Sequence, residues 1–187
     1  MKQIFLLLFL SLSFTSCYTS QGLASRIVSK PVVLTKTLLT GLYENQIPDD
    51  PENSLCNDLC LHNSRKVHDT REGNQVFIEY TEEKEIKVEL YQNNQLLDSM
   101  LLPGKPKDNY FVIRKGSHFF TLILITSKVS KKTILGNDAN ADLLLAQGRS
   151  SNTMFLESEV GDEGETITAT YMRLGDTRPN YILQIMK

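Results

Sequence analysis

From Val76 to near the C-terminus, apolar residues recur at every second position rather than every third or fourth, and this period limits the chain to pleated strands. Ile86, Val88 and Leu90 alternate with Lys87, Glu89 and Tyr91, the pattern of a strand with one dry face. Asn93-Asn94 follows, and because both residues tolerate positive φ it predicts a two-residue hairpin into residues 95–102. Pro103-Gly104-Lys105-Pro106 is expected to end that strand. Residues 110–115, a Gly116-Ser117 turn and residues 118–126 predict the next hairpin, with 119–125 apolar on both faces and so the most buried. Further strands are expected at 133–135, 141–146, 152–160 and 166–174, and 181–186 offers a last one. Connections this short leave only antiparallel neighbours, since a parallel crossover takes a dozen or more residues. The expected fold is mainly β: an antiparallel up-and-down meander of about eight or nine strands, curled into a closed or partly open barrel that removes exposed edges.

Ahead of the meander the pattern is mixed. Residues 32–43 are rich in β-branched and aliphatic side chains and predict one strand; Ile47-Pro48-Asp49-Asp50-Pro51 then forces a turn or loop. Ser54 or Asn53 offers a helix cap, and Leu55, Cys56, Leu59 and Cys60 form an apolar stripe at helical spacing. One short N-terminal helix is expected there, closing one side of the core.

Residues 1–16 have the layout of a secretory signal: a basic Lys2, an apolar run from Ile4 to Phe14 too short to span a bilayer, and small Thr15 and Ser16. Phe14-Thr15-Ser16-Cys17 resembles the lipobox of bacterial lipoproteins, with Phe14 in place of the usual Leu. That resemblance implies cleavage before Cys17 and acylation of its thiol and amino group, and more than one acyl chain gives stable anchoring. The alternative is an ordinary secreted protein without lipid. Acidic residues after the lipidated cysteine direct surface export in some bacterial lipoproteins; Tyr18-Thr19-Ser20-Gln21 has none, which favours a cell-envelope anchor facing the periplasm. Residues 17–31 are small and polar and read as a flexible tether, leaving 32–187 as a single domain. A net charge of −2 argues against nucleic acid as partner.

A second resemblance lies at the domain's start. Leu39-Thr40-Gly41-Leu42-Tyr43-Glu44, ahead of a meandering β-chain, resembles the Gly-x-Trp-Tyr-Glu opening of lipocalins, with Tyr43 in place of tryptophan. The match covers this motif and the architecture, and it implies a lipocalin-like barrel. The chain is also similar to small uncharacterised envelope lipoproteins with the same Gly-x-Tyr start.

Few residues suggest chemistry. If Cys17 is acylated, Cys56 and Cys60 are left as a pair that could form a disulfide in an oxidising compartment or remain two buried thiols; bridging residues four apart would strain a helical turn. Cys56, Cys60, His62 and His68 are crowded together without the spacing of a known zinc module, and no metal site is assigned. Asp138-Ala139-Asn140-Ala141-Asp142 begins like a calcium loop, but Leu143 stands where glycine is needed and Arg149 where a bidentate Glu is needed, so the segment reads as a turn. His118 lacks a nucleophile elbow, and Glu82, Glu83 and Glu85 read as a solvated turn. No hydrolase, kinase or dinucleotide signature appears, and neither catalytic residues nor a cofactor is assigned.

Charge patterning yields one sharper expectation. If turns fall alternately at the two ends of the meander, Lys84, Lys105, Lys107, Lys128, Lys131, Lys132 and Arg149 gather at one end, against Glu82, Glu83 and Asp108. Asp138, Asp162, Glu163 and Glu165 lie at the other, with Lys115. Such a basic rim would face anionic lipid headgroups or guide an anionic amphiphile to the barrel mouth, unless its lysines are simply solvated. The function expected is that of a non-enzymatic, lipid-anchored envelope protein binding a small apolar or amphipathic molecule. The alternative is a structural or interaction subunit with a filled barrel that meets another envelope protein.

Overall fold

A computed structural model describes residues 19–47, 50–60, 73–82, 84–113, 117–122, 125–155, 158–161 and 165–179. Among these residues three short helices are followed or interleaved by thirteen strands: α1 (Ser20–Ala24), α2 (Lys36–Leu39), β1 (Gly41–Glu44), β2 (Gln46–Ile47), β3 (Asp50–Ser54), α3 (Leu55–Cys60), β4 (Asn74–Glu82), β5 (Glu85–Gln92), β6 (Gln95–Lys107), β7 (Tyr110–Ile113), β8 (Ser117–Leu122), β9 (Ile125–Asn137), β10 (Leu143–Phe155), β11 (Ser158–Gly161), β12 (Glu165–Tyr171) and β13 (Arg173–Gly175). β2 and β3 pair with each other; the rest form one antiparallel sheet.

Its hydrogen-bonded path runs β11-β10-β9-β7-β6-β5-β4-β1-β13, with β12 beside β10 and β8 beside β9. The path has two ends and is not a ring. Only Met172 separates β12, which pairs with β10, from β13, which pairs with β1. One stretch of chain therefore lies against strands from opposite parts of the sheet.

The β5–β6 hairpin forms as its sequence predicts. Gln92 faces Gln95, and Asn93 and Asn94 take φ of 50° and 62°, the left-handed values that this tight turn requires. α3 likewise begins where its cap allows: the Ser54 hydroxyl accepts the Asn57 N–H at 3.2 Å, and Leu55, Cys56, Leu59 and Cys60 are all buried.

Alternation sorts the strand residues onto two faces. Val76, Ile78, Ile86, Val88, Leu90, Met100, Leu102, Phe111, Ile113, Leu135, Leu143, Leu145 and Tyr171 meet Leu39, Tyr43 and the α3 stripe in one cluster. Each large aliphatic or aromatic side chain removed from water here contributes roughly 1.5–3 kcal/mol. On the opposite face of β7, β9 and β10, Tyr110, Val112, Ile134 and Ala146 pack against Leu23 of α1.

Several strand boundaries differ from expectation. Residues 32–43 hold α2 as well as a strand, because the Thr35 hydroxyl accepts the Leu38 N–H at 3.1 Å and starts a helical turn. β6 does not stop at Pro103. It continues to Lys107 and exchanges β5 for β7 as its partner, with Gly104 donating its N–H to Lys84 O. A Cβ at Gly104 would lie against the Phe111 ring and 2.6 Å from Val112 O, so this crossing needs glycine. β8 and β9 pair antiparallel from Leu122↔Ile125 to Ser117↔Ser130, so residues 118–126 are not one strand. Residues 127–132, polar enough to resemble a connection, lie inside the thirteen-residue β9. Partners on both sides override weak local preference there. Within 17–31, expected to be a flexible tether, α1 is capped by Thr19 and docked through a fully buried Leu23. Residues 181–186 lie outside the described residues.

Candidate functional site

The Gly-x-Tyr motif opens the first of three polar clusters among the described residues. Tyr43 points inward from β1, and its hydroxyl donates to Leu39 O at 3.0 Å. It also accepts from Asn137 Nδ2 at 3.1 Å and from Arg173 Nη1 at 3.0 Å. The Arg173 guanidinium lies 5.5 Å from the centre of the Tyr43 ring. It donates further to Leu38 O, to Thr40 O at 2.6 Å and to Asp176 Oδ1 at 2.8 Å. Gly41 is glycine for the same reason: a Cβ there would stand 2.8 Å from Arg173 Cζ. Burial pushes the Tyr43 phenol above its ordinary pKa, against the opposing influence of Asn137 and Arg173, so it stays a neutral donor. The motif is thus half of a latch that ties α2 and β1 to β9 and β13.

The 138–142 turn supports that latch. Asp138 Oδ1 accepts the N–H groups of Asn140 at 2.9 Å and Asp142 at 3.0 Å, with Ala141 at φ 67°. Asp142 Oδ1 accepts the Arg173 N–H at 2.8 Å. The calcium-like carboxylates are therefore occupied by backbone donors, which is how such side chains build turns.

A second cluster lies inside, where α3 meets β9, β10 and β12. Tyr171 donates to Asp58 Oδ2 at 3.0 Å, and Gln147 Nε2 lies 3.0 Å from Asp58 O and 2.8 Å from Thr133 Oγ1. Asp58 is buried, and its position three residues after Leu55 puts it on the apolar side of α3, a spacing that marks it in the sequence although its type does not. Burial, reinforced by the nearby Arg149 charge and opposed by Asp58, lowers the pKa of Lys131.

Cys56 and Cys60 are free thiols, with Sγ atoms 3.5 Å apart. Side chains four apart on a helix lie along its axis, so a disulfide would have to draw the sulfurs together by distorting the turn. Their mutual hydrogen bond and then burial push the Cys56 pKa far up, which leaves it a packing group rather than a nucleophile. Among the described residues no group of three or more His, Cys, Asp or Glu side chains could hold a metal ion. His62, His68 and Cys17 lie outside the described residues.

The residues expected in a basic rim do not all lie at turns. Gly148 faces Lys132 and Arg149 faces Lys131 within the β9–β10 ladder, and Lys128 faces Asn152. These four cations therefore occupy strand positions, and the reversal of that hairpin is the acidic 138–142 turn. Lys105 and Lys107 are exposed near the β6–β7 turn, and that turn adjoins the acidic one, since a Cβ on Gly136 would lie 3.2 Å from Asn109 O. Lys105 and Lys107 therefore lie at the same end as Asp138 and Asp142 rather than opposite them.

On the outer face of β4 and β5, Glu89 accepts from Lys87 Nζ at 2.6 Å, Tyr91 OH at 2.9 Å and Arg178 Nε at 2.8 Å. Arg178 also pairs with Glu79 and lies over the Phe77 ring. Burial raises the Glu89 pKa, but the three donors outweigh it and hold the carboxyl below its usual range. Compared with known protein families, curated proteins and solved structures, the chain matches none.

Proposed function

We propose that this chain is a non-catalytic, lipid-anchored protein of the bacterial cell envelope, with a lipocalin-like body that is filled by its own side chains and serves as a structural or protein-interaction subunit. The observation that carries this reading is the inner cluster. Side chains from β1, β4, β5, β6, β7, β9, β10 and β12 meet α3 in one continuous apolar mass, so the inward positions that belong to this cluster are occupied by protein rather than by a ligand.

The pairing of 165–175 with β10 on one half and β1 on the other supports a body that curls back on itself. The polar groups around Tyr43 and Asp58 are held chiefly by protein partners, with Asn137 Oδ1 left buried without one, and they include no activated nucleophile, which fits a structural role better than an enzymatic one. Leu96, Leu97 and Leu101 of β6 are exposed and offer apolar area for a partner protein. The Phe14–Cys17 segment supports anchoring through acylated Cys17. No helix among the described residues is long and apolar enough to cross a membrane.

Intact mass measurement of protein extracted from membranes tests this reading. The expected species begins at Cys17, carries acyl chains and retains no other small molecule under native conditions. An apolar ligand retained at one per chain would overturn the filled interior, and an unmodified Cys17 would overturn the anchor. In-cell cross-linking is expected to capture an envelope protein in a manner weakened by Leu97→Glu with Leu101→Glu.

A further inference from the structure

The segment after α1 has an unusual surface. Glu44 is the first acidic residue of the chain, whereas Arg26, Lys30 and Lys36 precede it. Arg26 and Lys30 are exposed and make no ion pair among the described residues. Between and beyond them, Val28 is 99% exposed and Val33 is 71% exposed. Valines held this far out of the core, alternating with unpaired cations, match the two demands of an anionic bilayer surface: charge for the headgroups and short apolar groups for the boundary below them.

Position adds a second argument. Thr19 caps α1 through its hydroxyl, which accepts the Gly22 N–H at 2.9 Å, and Leu23 is wholly buried against β7, β9 and β10. The segment is thereby fixed to the body. Three residues of chain span at most about 11 Å, so Cys17 can lie no farther than that from Ser20. A lipid on Cys17 would therefore keep α1, and the segment that follows it, near the bilayer.

We infer that residues 26–33 form a membrane-contacting strap that binds anionic phospholipid through Arg26 and Lys30 and seats Val28 and Val33 at the interface. This rests on the anchored reading for its orientation, but the strap's own lipid contact is measured separately. The chain contains no tryptophan, so Val28→Trp introduces a unique reporter, with Val33→Trp as a second and Leu101→Trp on β6 as a control. Each protein is produced without residues 1–16 and with Cys17→Ser, so that no acyl chain carries it to the bilayer, and is mixed with vesicles of brominated phosphatidylglycerol or brominated phosphatidylcholine.

At low salt, Trp emission from the position-28 and position-33 variants is expected to shift to the blue and be quenched by the phosphatidylglycerol vesicles, while the control is not. Arg26→Glu with Lys30→Glu should weaken that binding by about thirtyfold or more, as expected when two cations near the surface are lost. Salt should weaken it too. No quenching at either position, equal quenching by phosphatidylcholine, or indifference to the double charge reversal would overturn the strap. Failure of the anchored reading would register instead as an unmodified Cys17 mass, whatever the quenching.

Discussion

The two faces of the sheet are covered in different ways. Inside, one cluster joins most strands to α3, and nearly every member is shielded from water. Outside, two separate patches are covered by segments near the two chain ends: Leu23 of α1 over Tyr110, Val112, Ile134 and Ala146, and Arg178 over Phe77 and Glu89. The inner face holds the fold through contiguous apolar packing. The outer face is tied down by local straps, each of which can be lifted without emptying the core.

The contrast can be broken most severely from inside. Leu145→Ala leaves a void among residues with no room to collapse, and is expected to cost about 3–5 kcal/mol in denaturant unfolding; a loss under 1 kcal/mol would mean that the interior is not tightly filled. Leu23→Ala should cost less, roughly 2–3 kcal/mol, and act locally. Hydrogen exchange of residues 19–27 should rise while β5 and β6 stay protected, and uniform deprotection would show that α1 belongs to the core's cooperative unit.

Tyr43→Phe keeps the inner packing and removes only the hydroxyl that joins Leu39 O, Asn137 and Arg173. The expected loss is about 1–2 kcal/mol. Arg178→Gln tests the outer strap at its weakest point, with an expected loss of about 1 kcal/mol or less, because the guanidinium is partly in water. That loss should depend on pH. Glu89 has a lowered folded-state pKa, so its contribution is complete above the ordinary carboxylate pKa and disappears as pH falls through its own lower value. The gap between Arg178→Gln and the parent should therefore narrow in acid; a gap that widens would remove Glu89 as the partner.

Legibility in the sequence followed locality. Asn93-Asn94, Ser54 and the α3 stripe each encode their own geometry through φ tolerance, a cap or a helical period, and each appears where its residues predict. The reversals around β9 were misplaced because 127–132 is polar without being a turn; strand pairing alone settles its conformation. The turn positions expected for Lys128, Lys131, Lys132 and Arg149 depend on those reversals, and pairing places these residues within β9 and β10 instead. Gly41 and Tyr43 were legible as a motif, but their partners Asn137 and Arg173 lie 94 and 130 residues from Tyr43 in the chain, and nothing local marks them.

Residue order alone determined that this chain would be an antiparallel β-structure with a capped helix at its entrance, since period, turn chemistry and capping act between near neighbours. Tertiary structure decided which strands meet, where β9 begins and ends, that α3 packs into the inner cluster, and that α1 is docked rather than loose. Those outcomes depend on contacts between distant segments, whose energies exist only once the chain has brought the partners together.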